Sequence, residues 1–375
     1  MGVVRSADVC VIGGGVIGRC AALALAERGV RVDLVTREVP GSASRAAAGL
    51  LAPSIEGGSG VAHDFAVAAR DAYPEFLERL RDSVKARVEF GRAGILSVAL
   101  DDASERRLRA RTDSPWLSPN EVRSLEPSLA PTRGGVLSPL DGYVDNVALM
   151  AALEAATRSL KPRIREIDGL VARLELERDS ATLILGRGDR VACSATVLAA
   201  GAWSTSISGL PRRLPLFPLK GQMIRYDSVA ASAPVSLSRP VYGAGVYVVS
   251  RSGSRILVGA TSEDAGFDTS LTDAAAAGLT RGAVELFPQF ARVTPADQWS
   301  GIRPMTTDSL PVLGTDPEFP ALIYACGHSR NGILKAPLTG TCVAQLFLEE
   351  HSGYDLTPFS LIRQEPAPIA PLLDE

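Results

Sequence analysis

Histidine is scarce in this chain of 375 residues: His63, His328 and His351 stand far apart, with no H-x-x-x-H spacing. A histidine-based metal centre is therefore not expected, and no metal is assigned. Cysteine is little commoner. Cys10, Cys20, Cys193, Cys326 and Cys342 are odd in number and include no C-x-x-C, which argues against a disulfide scaffold or zinc framework. Most lie in apolar runs, where cysteine behaves as a small hydrophobe. That suits a reducing compartment, and a cytoplasmic protein is expected. No apolar run is long enough for a transmembrane helix. The short N-terminal one is broken by three glycines and does not read as a signal peptide. Neither sign of charge dominates: 39 Lys and Arg stand against 42 Asp and Glu, a net charge of −3. This excludes a basic nucleic-acid-coating protein, and neither a nucleic-acid nor a membrane partner is expected.

What is present is a folded protein's composition, 46% hydrophobic and 22% charged, on a chain long enough for two or three domains. Asp8–Ile12 is a short β-branched run that reads as a buried parallel strand. Gly13 to Gly18 then spell GGGVIG, a match to G-x-G-x-x-G. An Ala/Leu-rich helix follows from Arg19 to Arg28, ended by Gly29, and Val30–Val35 is a second strand. A dinucleotide fingerprint needs this βαβ context. Gly13 allows the tight turn, Gly15 lets the backbone approach a pyrophosphate, and Gly18 lets the helix pack on the strand. With Val16 and Ile17 they are assigned to the nucleotide, at the positive end of the helix. The motif does not decide between NAD and FAD. An acid is expected at the end of the second strand, where Thr36 stands instead, followed by Arg37 and Glu38. Glu38 either reaches the ribose from two residues later or is an ordinary solvated acid; both readings stay open.

Ser42 to Pro53 read SASRAAAGLLAP, small residues that let the chain pass close to a bulky planar ligand. Here the sequence resembles the D-amino acid oxidase and glycine oxidase family of flavoproteins, which carry a similar S-x-A-A-A-G-x-L-A-P stretch. Leu198–Ser204 resembles that family's second nucleotide-contacting turn, and Pro218–Met223 its entry strand to the substrate domain. Tyr247–Arg251, Val258–Glu263 and Gly266–Asp268 resemble its substrate-sheet hairpin. Gly301–Pro304 with Asp308–Gly314 resembles its carboxylate-binding strand, and Gly327–Pro337 its C-terminal flavin loop and helix. The resemblance covers nearly the whole chain and is strongest to the bacterial glycine oxidase type.

The resemblance implies FAD, contacted by Arg37, Glu38, Ser44, Arg45, Ala47, Ala48, Gly49 and Leu51. It adds Ala200, Gly201 and Trp203, then Arg303, His328, Arg330, Asn331, Gly332 and Ile333. The cysteine that anchors flavin covalently in monomeric sarcosine oxidases would fall near Gly301, so noncovalent FAD is expected. A substrate carboxylate would dock on Arg303, with Tyr247 as second donor and Arg330 near. These three are the catalytic assignments. The amine would lose hydride to the flavin, the imine would hydrolyse, and O2 would reoxidise FAD to give H2O2. Three departures stand out: Thr36 for the ribose acid, Ser250 where proline is frequent, and Lys335 in an apolar helix start. Lys335 either lies near the flavin or points to solvent.

Read without the family, Arg303 sits at a strand end between Ile302 and Pro304. There it can fork onto a carboxylate or form a surface ion pair; the flanking Gly301 and Pro304 favour the site. Tyr247 alternates with Val246 and Val248, so its hydroxyl either enters a pocket or the ring packs on the sheet. His328 is read as a loop residue without a catalytic role.

The fold class is α/β: a Rossmann-like FAD-binding domain (1–85, 140–215 and 298–365) interleaved with an α+β substrate domain (86–139 and 216–297) on a mostly antiparallel sheet. Helices are expected over 64–81, from a capping box at Ser118 to before Pro127, from Asp145 to about Leu160, over 273–287 and over 331–349. Leu170–Glu177 and Ala181–Arg187 read as a hairpin. The segment Gly57–Ala62 is read as a lid or a slack loop, and the tail after Gln364 as loosely held. The function expected is oxidation of a small amino acid or amine by O2, with a possible homo-oligomer. The alternatives are an amine dehydrogenase or specialised biosynthetic oxidase, an RNA-modifying flavoprotein, and a flavin-binding subunit without turnover.

Overall fold

The computed structural model describes residues 4–5, 7–56, 59–110, 114–227 and 235–363. Gly57 and Gly58 of the glycine-rich segment, and the tail after Gln364, lie outside these residues.

The strand Val9–Ile12 is buried throughout and feeds two cores. Val9 and Val11 pack on the side of the helices Val16–Glu27 and Gly332–Phe347, while Cys10 and Ile12 face the opposite layer. Burial on both faces explains why this strand is apolar without alternation. It lies inside a six-stranded sheet. In order, Ile164–Asp168, Val32–Thr36, Val9–Ile12, Ala195–Leu198 and Leu322–Cys326 run parallel, and Val312–Thr315 closes the edge antiparallel. The expected hairpin is present as Val171–Leu176 and Ala181–Leu185; Arg190–Cys193, unforeseen, extends it into a meander over the second face. All five cysteines are buried and free.

An eight-stranded, mostly antiparallel sheet forms the other half. From the edge strand Asp297–Thr306, ten residues long, it continues through Leu216–Asp227, Arg255–Gly259 and Val246–Arg251. That strand begins where the expected division returned the chain to the nucleotide domain, yet it pairs with 216–225 of the antiparallel sheet. Arg303 consequently lies inside a strand and not at its end. Val246, Val248, Ile256 and Val258 meet Leu279 and Ala283 of the helix Asp273–Leu286. Tyr247, between Val246 and Val248, faces the other side of the sheet.

Ser118 and Glu121 make a reciprocal capping box, and Asp145 accepts from Val147 and Ala148. The helix expected over 64–81 is two helices, Val61–Asp71 and Tyr73–Val84. Pro74 causes the break: it has no N–H to continue the first helix and suits the opening turn of the second.

Candidate active site

A cavity of about 750 Å³ opens at the carboxyl ends of the parallel strands and extends to the antiparallel sheet. Ligands bind at this place in open α/β sheets. Gly13, at φ +107°, turns the chain out of the first strand; a Cβ there would lie 2.4 Å from the Ala199 carbonyl oxygen. Gly13, Gly15, Val16 and Ile17 line the cavity, but Gly18 does not. A Cβ on Gly18 would lie 1.8 Å from the Gly13 oxygen, so its part is to let helix and strand touch.

Arg19, which the sequence reading passed over, supports this turn from below. Its Nε donates to the Gly14 carbonyl at 3.0 Å, and Nη1 donates to Thr157 Oγ1 at 2.7 Å and Glu166 Oε1 at 2.8 Å. Burial pushes the Glu166 carboxyl up, but bonds from Arg19 and Thr157 outweigh it and hold it below its ordinary value. Thr36 packs against Gly14, where an added Cβ would fall 2.1 Å from Thr36 Oγ1. Arg37 lines the cavity while paired with Asp168, at 3.1 and 2.8 Å. Glu38 also lines it, exposed, with Arg45 at 4.0 Å.

The small-residue segment crosses the cavity and is held through its backbone. Ser44 Oγ accepts from Val16 N–H at the helix start, at 3.0 Å. Asn146 Nδ2 donates to the carbonyls of Ser44 and Arg45, at 3.0 and 3.1 Å. Trp299 Nε1 donates to Ala46 O at 2.9 Å, and the buried Arg251 donates to Ala48 O. Gly49 is at φ +67°, and its Cβ would lie 2.0 Å from Val144 O. Ala47, Ala48 and Gly49 line the cavity. Leu51 does not: strand alternation turns it into the core while Leu50 and Ala52 face the space.

Ala200, Gly201 and Trp203 form one wall, and His328 to Ile333 another. His328 is buried, and its Nε2 meets Thr339 Oγ1 at 3.1 Å. Burial, reinforced by the Lys335 charge, lowers its pKa to about 3. Lys335 does not point to solvent; it is 3% exposed and does not line the cavity. The apolar pattern around it follows the packed face of the helix.

Arg303, Tyr247 and Arg330 converge at the far end. The Arg303 guanidinium lies over Gly221, whose Cβ would fall 2.4 Å from both Nη atoms. Nη1 donates to Thr261 O at 3.0 Å and Lys220 O at 3.4 Å. Among the described residues no carboxylate reaches ion-pair distance of Arg303. The nearby Glu263 is taken by Lys220, at 3.3 Å, and by Gln222. Burial lowers the Arg303 pKa, and the Arg330 cation adds to this. Burial raises that of Tyr247, which therefore stays a protonated donor. Its ring lies over Gly259, and its hydroxyl is 3.7 Å from Met223 Sδ. Tyr242, also on the cavity, stacks at a tilt on Tyr247 and carried no recognisable signal.

A glycine turn at a helix start, a low-profile wall and a roomy far end fit an extended dinucleotide with a planar ring system. Among the described residues no group of His, Cys, Asp or Glu could hold a metal, and no helix is long and apolar enough to cross a membrane.

Comparison with known proteins agrees with this geometry. The glycine oxidase of Geobacillus kaustophilus is 34% identical over 95% of this chain and 97% of its own. Its crystal structure superposes with a TM-score of 0.89, covering 96% of this chain and all of that one. The bifunctional protein ThiO/ThiG of Nostoc sp. is 35% identical over 98% of this chain. The chain spans about half the length of such bifunctional relatives, 56% in this case. Residues 8–346 match the family model described as FAD dependent oxidoreductase, and the chain belongs to that family of FAD-dependent enzymes.

Proposed function

We propose that the chain oxidises a small amino acid or related amine, of the glycine, sarcosine or D-amino acid type. Substrate, O2 and water give an oxoacid, ammonia or an amine, and H2O2. The carrying observation is Arg303: a cation in the cavity wall with carbonyl partners and, among the described residues, no acid at ion-pair distance. A buried charge without a counter-ion is costly, and a ligand carboxylate removes that cost.

Arg303 takes the carboxylate with its fork. Tyr247 donates a second hydrogen bond, and Arg330 adds positive potential. Together they fix which face of the substrate carbon is presented. FAD, when bound, supplies the hydride acceptor. We assign its pyrophosphate to Gly13–Ile17, its ribose to Glu38, and its ring to the walls at Ala47–Gly49 and Arg330–Ile333. No side chain need act as base if the amine binds neutral. His328 is turned to Thr339, and Glu263 is engaged by Lys220 and Gln222. We further propose noncovalent FAD, a cytoplasmic location, and two interleaved domains, with 297–306 grouped with the antiparallel sheet.

The test is a peroxide-release screen over glycine, sarcosine, D-amino acids and larger amines, with anaerobic dye reduction in parallel. Peroxide with one of these supports the proposal. Dye reduction without peroxide overturns the oxidase in favour of a dehydrogenase. Flavin that stays with acid-precipitated protein overturns noncovalent attachment.

A further inference from the structure

The helix Gly332–Phe347 contains a proline, Pro337, in its second turn. An α-helix bonds each N–H to the carbonyl four residues back. Pro337 has no N–H, so the Ile333 carbonyl loses the donor the helix would give it. A buried carbonyl left in that state costs free energy comparable to a lost hydrogen bond.

The donor comes from another helix. Tyr73, 260 residues away in sequence, donates its hydroxyl to Ile333 O at 2.5 Å. Tyr73 is 0% exposed. Its ring stacks on Phe90 at 6.3 Å between centroids and meets Phe76 edge-on at 6.1 Å. Burial raises its pKa well above the ordinary value, so the phenol remains a donor. The ring has little freedom, and the acceptor is thereby fixed too. Ile333 ends the cavity wall that starts at His328 and carries Arg330.

We propose that Tyr73 is a positioning residue for the flavin site: by supplying the bond that Pro337 denies to Ile333, it holds the Arg330–Ile333 wall in place. The proposal rests on this cavity being the flavin site. Without the tether the wall has more than one arrangement, and the fraction ready to bind falls.

The test is a double-mutant cycle on purified holoprotein. Flavin release on dilution is read by flavin fluorescence, and global unfolding separately by tryptophan fluorescence. Tyr73→Phe is expected to speed release or weaken retention roughly fivefold or more. It should also shift the bound flavin's visible bands and raise KM. Pro337→Ala returns an N–H to Ile333 O, so in the P337A background Tyr73→Phe should have little effect on retention. Two results would overturn the proposal. One is a lower unfolding midpoint in Y73F with retention and spectrum unchanged. The other is an equal loss of retention with and without Pro337→Ala. If Y73F alone does not fold, the P337A pair decides: Y73F/P337A must fold and hold flavin as P337A does. The yellow colour of the wild-type protein tests the flavin site itself, separately from the cycle.

Discussion

Gly221→Ala should disable the site without removing any of its charges. Gly221 lies beneath the Arg303 guanidinium, and the new Cβ would fall 2.4 Å from Nη1 and Nη2 and 2.6 Å from Cζ. Ordinary carbon–nitrogen contact needs about 3.5 Å, so the fork must move by about 1 Å. Nη1 is held by Thr261 O and Lys220 O, and those bonds are lost or stretched as it moves. A displacement of about 1 Å at a positioning group costs on the order of 100-fold in rate. The measurement is kcat/KM for the best substrate of the screen, by bleaching of flavin absorbance in stopped flow. Flavin content and unfolding midpoint serve as controls. Arg303→Lys is the companion: it keeps the charge but loses the fork, and should fall by a similar factor. A G221A enzyme with full flavin and unchanged kcat/KM would refute the reasoning, because Arg303 could then be displaced without consequence.

Tyr247→Phe removes one neutral donor and should lower kcat/KM roughly 2- to 10-fold without altering flavin content; no change would take the hydroxyl out of the site. His328 is held at a pKa of about 3 by burial and the Lys335 charge, against about 6.5 unfolded. The unfolded chain therefore binds the proton first, and stability falls by about 1.4 kcal/mol per pH unit as pH drops from about 6.5 towards 3. His328→Gln should flatten that slope in urea titrations, and an unchanged slope would refute the assignment. Arg19→Gln should cost about 1–2 kcal/mol, because buried Arg19 loses its charged bond to the half-buried Glu166. Glu166's contribution, present above its unfolded pKa of about 4.3 and lost as pH falls below it, should vanish from the acid limb.

What was legible in the sequence was local. The strand, turn and helix around Gly13–Gly18 announce themselves by spacing, and so do the caps at Ser118 and Asp145. Arg303 was noticeable because Gly301 and Pro304 flank it. Arg19, Asn146, Arg251 and Tyr73 were not noticeable, because each works on a partner more than 100 residues away. Asn146, Arg251 and Tyr73 donate to backbone carbonyls of distant segments, and Arg19 to the side chains of Thr157 and Glu166; no motif contains both ends of such a bond. Lys335 was left open between flavin and solvent, and its burial excludes only the solvent. Its neighbours showed an apolar face, but one residue cannot say where its own chain turns. The break at Ala72 did have a signal, Pro74, which apolar periodicity continuing across it concealed.

The far end of the cavity is shaped by missing atoms as much as by those present. Gly259 stands opposite Tyr247 in one strand pair, and Gly221 opposite Gly301 in another. A Cβ on Gly259 would lie 2.6 Å from the Tyr247 hydroxyl, and one on Gly301 would lie 2.5 Å from Ala46 Cβ. Glycine inside a strand weakens it by roughly 0.5–1 kcal/mol relative to alanine. Three such positions in adjoining strands are therefore a standing loss of stability, in the sheet that must hold Arg303 and Tyr247 still. The loss is acceptable because rigidity there comes from elsewhere: the ten-residue ladder between 216–225 and 297–306, and the bonds of buried Lys220 and Gln222 to the half-buried Glu263. The sheet gives up side chains on the face where a ligand must lie and recovers order from the register and polar bonds around it. Substitutions that fill these glycines would thus strengthen strand propensity while closing the space that makes the site.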